Sequence, residues 1–376
     1  MLDPRFDDIR PYYDSEIPAS MQRIAACPYF DKIASFVFPD EDTETVRNNI
    51  LNISTVKEFQ KKVMSPMNKQ VIKRTMTAFT YGGFENISKD KNYMYVSNHR
   101  DIVLDASLLQ QILFQNGYDT TQITLGANLM ENPVVTDVFK SNKMFVIERG
   151  GGLKEFYFSS LHVSEYMRYM ITRHHESVWI AQRNGRTKDG KDVTDRGVVK
   201  MFGMSSSENK VDALAELNIL PVAVSYEWEP CDVLKAVELY HRRRGKYVKK
   251  HGEDVNSILT GILQPKGRVN IHFCDVVTHD DLMKYNDCSK NEFEHKVAEL
   301  ITARICRNYM LFSNNYIAHD ILHNNRLFAD CYSEEQKQAF VKHLGVLKEY
   351  TECNQDELRE IFLGIYASPV DNYKHL

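Results

Sequence analysis

His99, Asp101 and Asp105 lie within about two helical turns of one another. A histidine beside a carboxylate can act as a general base, because the acid fixes one ring nitrogen as N–H and leaves the other to accept a proton. Either aspartate suits that role by spacing. An ordinary explanation also exists, in which Asn98 or Asp101 caps a helix and His99 merely occupies a turn. Cationic groups recur further along. Arg149 precedes Gly150-Gly151-Gly152, and Arg183, Arg186 and Lys188 crowd the stretch QRNGRTKDG at 182–190. Arginine can grip a phosphate through two parallel hydrogen bonds, and a glycine run opening a helix lets backbone N–H groups approach an anion. A flexible connector and a solvated turn would account for the same residues. The run lacks the GxGxxG spacing, which argues against a dinucleotide site.

These groups depend on the elements that carry them. Tyr93, Tyr95 and Ser97 alternate with Met94 and Val96, the pattern of a half-buried strand, and Ile102, Val103, Leu104, Leu108 and Leu109 then mark a helix packed back onto it. His99 falls at that strand-to-helix turn. From about Phe84 to Val277 strands and helices alternate, which implies an α/β region with a mostly parallel central sheet and helices on both faces. Strands are expected at Tyr93–Ser97, Ile123–Ala127, Met144–Ile147, Val178–Ala181, Ile219–Tyr226 and Val269–Val277. Helices are expected at Asp105–Asn116, Pro133–Phe139, Gly152–Arg173 and Lys210–Leu217. In open α/β sheets ligands bind beyond the carboxyl ends of the strands, and His99, Glu148, Arg149, Gln182, Arg183 and Glu227 all fall at such ends.

The flanks read as helical: a segment over 1–82, the α/β region over 83–278, and a segment over 279–376. Near the start, Met21, Ile24, Phe30, Ile33 and Phe36 mark two short helices broken at Pro28. Thr43 to Ile53 and Val56 to Ala78 continue that style. The latter sets Lys61, Lys62, Lys69, Lys73 and Arg74 beside Val63, Met64, Met67, Val71 and Met76, which suits either an anionic membrane surface or a solvated face over a core stripe. His241 to Lys250 is the densest positive run, fit for an acidic carrier protein, coenzyme phosphates or lipid headgroups, or again simply a solvated face. Phe293, Val297, Leu300, Ile301, Ile305 and Tyr309 form an amphipathic stripe.

Composition is that of a soluble globular chain: 376 residues, 43% hydrophobic, 26% charged, formal net charge -4. Nothing there points to nucleic acid. No stretch approaches the roughly 18 apolar residues of a membrane span, and Met1 to Tyr12 is too charged for a signal peptide, so the expected location is the cytoplasm or the inner membrane face. Seven cysteines without a CxxC pair argue against a disulfide framework and a structural zinc site. His174, His175, His319 and His323 have no partner ligands at a metal-binding spacing, and no metal is assigned.

In order along the chain, these pieces resemble the glycerolipid acyltransferases, which move a fatty acyl chain onto glycerol-3-phosphate or its monoacyl derivative. The resemblance covers about Asn92 to Glu227. The family's first block is a histidine and, after four residues, an aspartate; here five residues separate His99 from Asp105. Its second block, a strand ending in arginine, is similar to Met144–Arg149. The third matches at Gly185, Arg186 and Thr187, with Arg183 where the family has glutamate, and the fourth resembles Ile219–Glu227. The resemblance implies His99 as base with Asp105, or Asp101, orienting it, and Asn98, Arg100, Arg149, Gly185, Arg186 and Thr187 around the substrate. It implies a thioester co-substrate, acyl-coenzyme A or acyl carrier protein, with no other cofactor, and a glycerolipid acceptor at or near a membrane surface. An aminolipid or lipid A type acceptor, or a catalytically weakened lipid-binding protein, are the alternatives.

Overall fold

The computed structural model describes residues 3–374 apart from Glu131, Arg149, Gly151, Lys246, Lys250 and His251. Seven strands make one sheet: β1 Met76–Gly82, β2 Met94–Ser97, β3 Gln122–Gly126, β4 Met144–Ile147, β5 Val178–Ala181, β6 Ile219–Tyr226 and β7 Gly267–Phe273. Their order across the sheet is β1-β7-β6-β2-β5-β3-β4. Every pairing is parallel except β6 with β7. Strands β2 to β6 therefore end on one edge, and helices cover both faces.

Strand β2 is central, between β5 and β6, and all four of its residues are buried. The alternation of tyrosine with apolar residues thus divides two buried faces and not core from solvent. Met94 and Val96 join one apolar cluster with Val178, Ile180, Tyr166 and Met167. Tyr95 faces the other, with Trp179, Leu220, Val222 and the Leu104–Gln115 helix. The stripe Phe293, Val297, Ile301 and Ile305 lies on the helix Lys290–Asn308 and closes the first cluster. Each such side chain contributes about 1.5–3 kcal/mol on burial, enough to dock a helix of otherwise polar character.

Strand β1 departs from the expectation of helix through Ala78. The helix ends at Thr75 and the chain turns directly into a strand. As an edge strand it is largely exposed, so it carries no alternating apolar signature, and its parallel partner β7 lies far downstream. Upstream of it, Val56–Phe59 and Ser65–Thr75 are helices joined by a π-helical turn, Gln60–Met64, and the helices Ile17–Ala25 and Phe30–Val37 flank Pro28. The basic run from His241 is not one helix: Asp232–Arg242 ends within it and Glu253–Leu263 follows. Among the described residues, no helix is long and apolar enough to cross a membrane.

Candidate active site

His99 lies two residues past Ser97, the end of β2, and enters a turn that leads into the Leu104–Gln115 helix. The sequence left two aspartates open as its partner. The geometry gives it Asp105, whose Oδ2 lies 2.9 Å from His99 Nδ1. The same oxygen accepts the backbone N–H groups of Arg100 at 2.6 Å and Asp101 at 2.9 Å, and Oδ1 accepts the Tyr226 hydroxyl at 2.8 Å. A fully buried carboxylate is thereby satisfied from four directions, and with Nδ1 engaged, Nε2 is the nitrogen left to take a proton. The imidazole meets Trp179 edge-on at 5.7 Å.

Asp101 has a different place. Its Oδ1 accepts the N–H groups of Val103 and Leu104 at 2.9 and 2.8 Å, holding the start of the helix. Burial, and then the neighbouring Asp105, raise its carboxyl above the ordinary range. Its Oδ2 lies against the helix Glu253–Leu263 at Gly261, where an added Cβ would come within 2.0 Å.

Three residues expected around the substrate are buried in the scaffold instead. Asn98 is buried, bridging the end of β2 to β6 through Val224 N–H and C=O and donating to Asp192. Arg100 is also fully buried, paired with Asp192 at 2.5 Å and Glu229 at 3.2 Å. Lys235 completes the cluster, contacting Glu229 and donating to the Arg100 carbonyl at 2.7 Å. Burial would drive the Arg100 guanidinium down, yet Asp192 and Glu229 raise it well above its ordinary value. A group so enclosed does not line the cleft. Thr187 is buried too and donates its N–H to the His99 carbonyl at 2.6 Å, fastening the two turns together. Arg149 lies outside the described residues. Glu227 pairs with Arg268 at 3.0 Å, away from any cleft role.

A cleft of about 400 Å³ opens beside His99. Its lining combines apolar side chains, Ile102, Val103, Ile123, Leu125, Phe139 and Trp179, with the cations Arg183, Arg186, Lys188, Arg242 and Lys249, among which stand Asp189 and Asp254. Gly185 takes the left-handed backbone that only glycine adopts freely, with φ +75, and so turns Arg186 into the cleft. One guanidinium nitrogen of Arg186 is buried without a hydrogen-bond partner among the described residues. Burial pulls the Lys188 ammonium down to about 8, although its partner Glu238 acts to raise it. The arginines after His241 are mostly neutralised: Arg242 by Glu238 at 2.7 Å, and Arg243 and Arg244 by Glu357. A lining of both kinds suits an amphiphilic ligand.

Sequence reasoning missed Tyr226, although it ends the strand of the fourth block. Burial and then Asp105 raise its phenol well above the ordinary value, so it remains a donor. Tyr226→Phe should strip one donor from a buried carboxylate and cost about 1–3 kcal/mol of stability. Chemical denaturation checks this, and an unchanged midpoint would refute it.

Among the described residues, two groups could hold a metal ion, each with ligand atoms within 4.8 Å of one another: His241, Glu352 and Cys353, and His319, His323 and Asp371. Asp371 comes from the last helix, which sequence spacing does not reveal. Neither group lines the cleft.

The family model described as Acyltransferase matches residues 78–225. Over these residues the chain is similar to the acyltransferases. The match takes in most of β1 through nearly all of β6, and with it His99, Asp105 and Arg186. No curated protein matches the sequence. Among solved structures, the 1-acyl-sn-glycerophosphate acyltransferase of Thermotoga maritima aligns over 76% of this chain and 91% of that chain, at 15% identity and a TM-score of 0.39.

Proposed function

We propose that the protein moves a fatty acyl group from a thioester donor, acyl-coenzyme A or acyl carrier protein, to a hydroxyl of glycerol-3-phosphate or 1-acylglycerol-3-phosphate. The observation that carries this reading is the His99–Asp105 pair at 2.9 Å beside a cleft lined by apolar side chains and an excess of cationic ones. His99 Nε2 removes the proton of the acceptor hydroxyl as its oxygen attacks the thioester carbonyl. Asp105 stabilises the imidazolium that forms. Collapse of the tetrahedral adduct breaks the C–S bond, and the proton on His99 passes to the departing thiolate. No enzyme nucleophile is needed. Arg186, with its buried unpartnered N–H, holds the acceptor phosphate, and such positioning supplies much of the rate. Arg183, which forms no ion pair among the described residues, suits the phosphates of a coenzyme or the acidic face of a carrier protein.

The test is thiol release from acyl-coenzyme A and acyl carrier protein by purified protein, with glycerol-3-phosphate or its 1-acyl form supplied separately. Product should appear with one acceptor in preference, and Arg186→Ala should raise KM for that acceptor by about tenfold or more, as expected on losing a charge-assisted contact. Thiol release that needs neither acceptor nor His99 would overturn the reading.

A further inference from the structure

The helices Ser65–Thr75 and Glu253–Leu263 pack side by side on the sheet. Ile72, Ile258 and Ile262 lean on one apolar cluster. Lys266 N–H donates to the Thr75 carbonyl at 2.6 Å where the two helices come together. Their inward sides are fixed by burial: Val71 and Asn68 on the first, Ser257 and Gly261 on the second. Half a turn from Gly261 lie Leu259 and Leu263, exposed by 53% and 56%, with Val255 one turn earlier at 46%. Half a turn from Val71 lie Lys69 and Lys73, both exposed. Apolar and cationic residues therefore share one outer surface.

Charge decides what covers it. The helix Ser65–Thr75 contains no carboxylate, and Lys69 and Lys73 form no ion pair among the described residues. On the second helix the only acids, Glu253 and Asp254, are half-buried in its first turn, and Asp254 turns to Asn128 and Lys249 at the cleft. In a chain of net charge -4, an acid-free face with an apolar stripe and unpaired lysines is complementary to an anionic, apolar phase.

We propose that this face docks on an anionic lipid bilayer. Leu259, Leu263 and Val255 enter the interface while Lys69 and Lys73 meet the headgroups. The underside of the same helix, at Gly261, touches Asp101 of the His99 turn, and its first turn borders the cleft. Docking thus brings the cleft mouth to the surface from which a lipid acceptor would come. The inference rests on the proposed function only for that use.

Sedimentation with phosphatidylglycerol-containing vesicles, against pure phosphatidylcholine vesicles, tests it on the full chain. Wild type should bind the anionic vesicles and lose binding in high salt. Leu259→Ser with Leu263→Ser, and separately Lys69→Glu with Lys73→Glu, should each weaken binding by about tenfold or more. Both variants should keep wild-type transfer to soluble glycerol-3-phosphate, which shows that they fold. Equal binding to both vesicle types, or binding unaffected by either pair, overturns the proposal. So does loss of self-association in the leucine variant with vesicle binding intact, which would make the face a contact with a second copy. If wild type binds vesicles but transfers no acyl group, the proposed function fails and the docking face stands.

Discussion

His99→Ala is expected to lower acyl transfer by about 10²- to 10⁴-fold, as loss of a general base does, while costing no more stability than Tyr226→Phe, which strips a donor from the same carboxylate. The imidazole is partly exposed at the cleft, so water can replace it as a donor to Asp105. Asp105 and Asp101 then separate by role. Asp105→Asn keeps an oxygen for the N–H groups of Arg100, Asp101 and His99 and can turn its amide toward Tyr226, so shape and tautomer survive and only the charge is lost. Losing a charged hydrogen-bond partner is worth about 1.5–3 kcal/mol, here a rate loss of about tenfold to 10²-fold. Asp101→Ala removes a helix cap and should cost about 1 kcal/mol of stability, with transfer near wild type. Single-turnover thiol release together with denaturant melts reads both quantities. Equal, small losses for Asp101 and Asp105 would sink the assignment of Asp105 as the orienting acid.

That asymmetry also marks how far the chain could be read before folding. His99 and Asp105 are legible because one strand end and one helix start bring them together locally, and a short turn takes up the extra intervening residue. Arg186 is legible for the same reason, since Gly185 beside it signals the turn. Tyr226, Asp192, Glu229 and Lys235 are not, because they reach the site only through the pairing of β2 with β6 and the return of distant segments. Arg100 misled for a related reason. A charge next to a catalytic histidine resembles a substrate ligand, and nothing local reveals that two carboxylates from more than ninety residues downstream enclose it. Strand β1 failed through exposure: an edge strand with few buried positions has no periodicity to detect.

The buried charge around Arg100 yields the largest expected loss of stability. Its side chain is 1% exposed, and those of Asp192, Glu229 and Lys235 are equally enclosed. Burial already raises the Asp192 carboxyl despite Arg100 beside it. Arg100→Met fills similar volume but leaves two carboxylates facing a single ammonium, and breaking a buried pair in this way costs about 3–5 kcal/mol. Against a total stability of about 5–15 kcal/mol that is a large fraction, so the variant should unfold at markedly lower denaturant. Arg100→Lys should rescue little, since an ammonium cannot span both carboxylates with a planar fork. The double change Arg100→Met with Asp192→Asn should recover part of the loss, because it removes an uncompensated charge along with the cation. A single Arg100→Met variant that melts within about 1 kcal/mol of wild type would show that the cluster is not held by its charges. Because Arg100 N–H also donates to Asp105 and its carbonyl receives Lys235, any slackening there passes straight to the acid that holds His99.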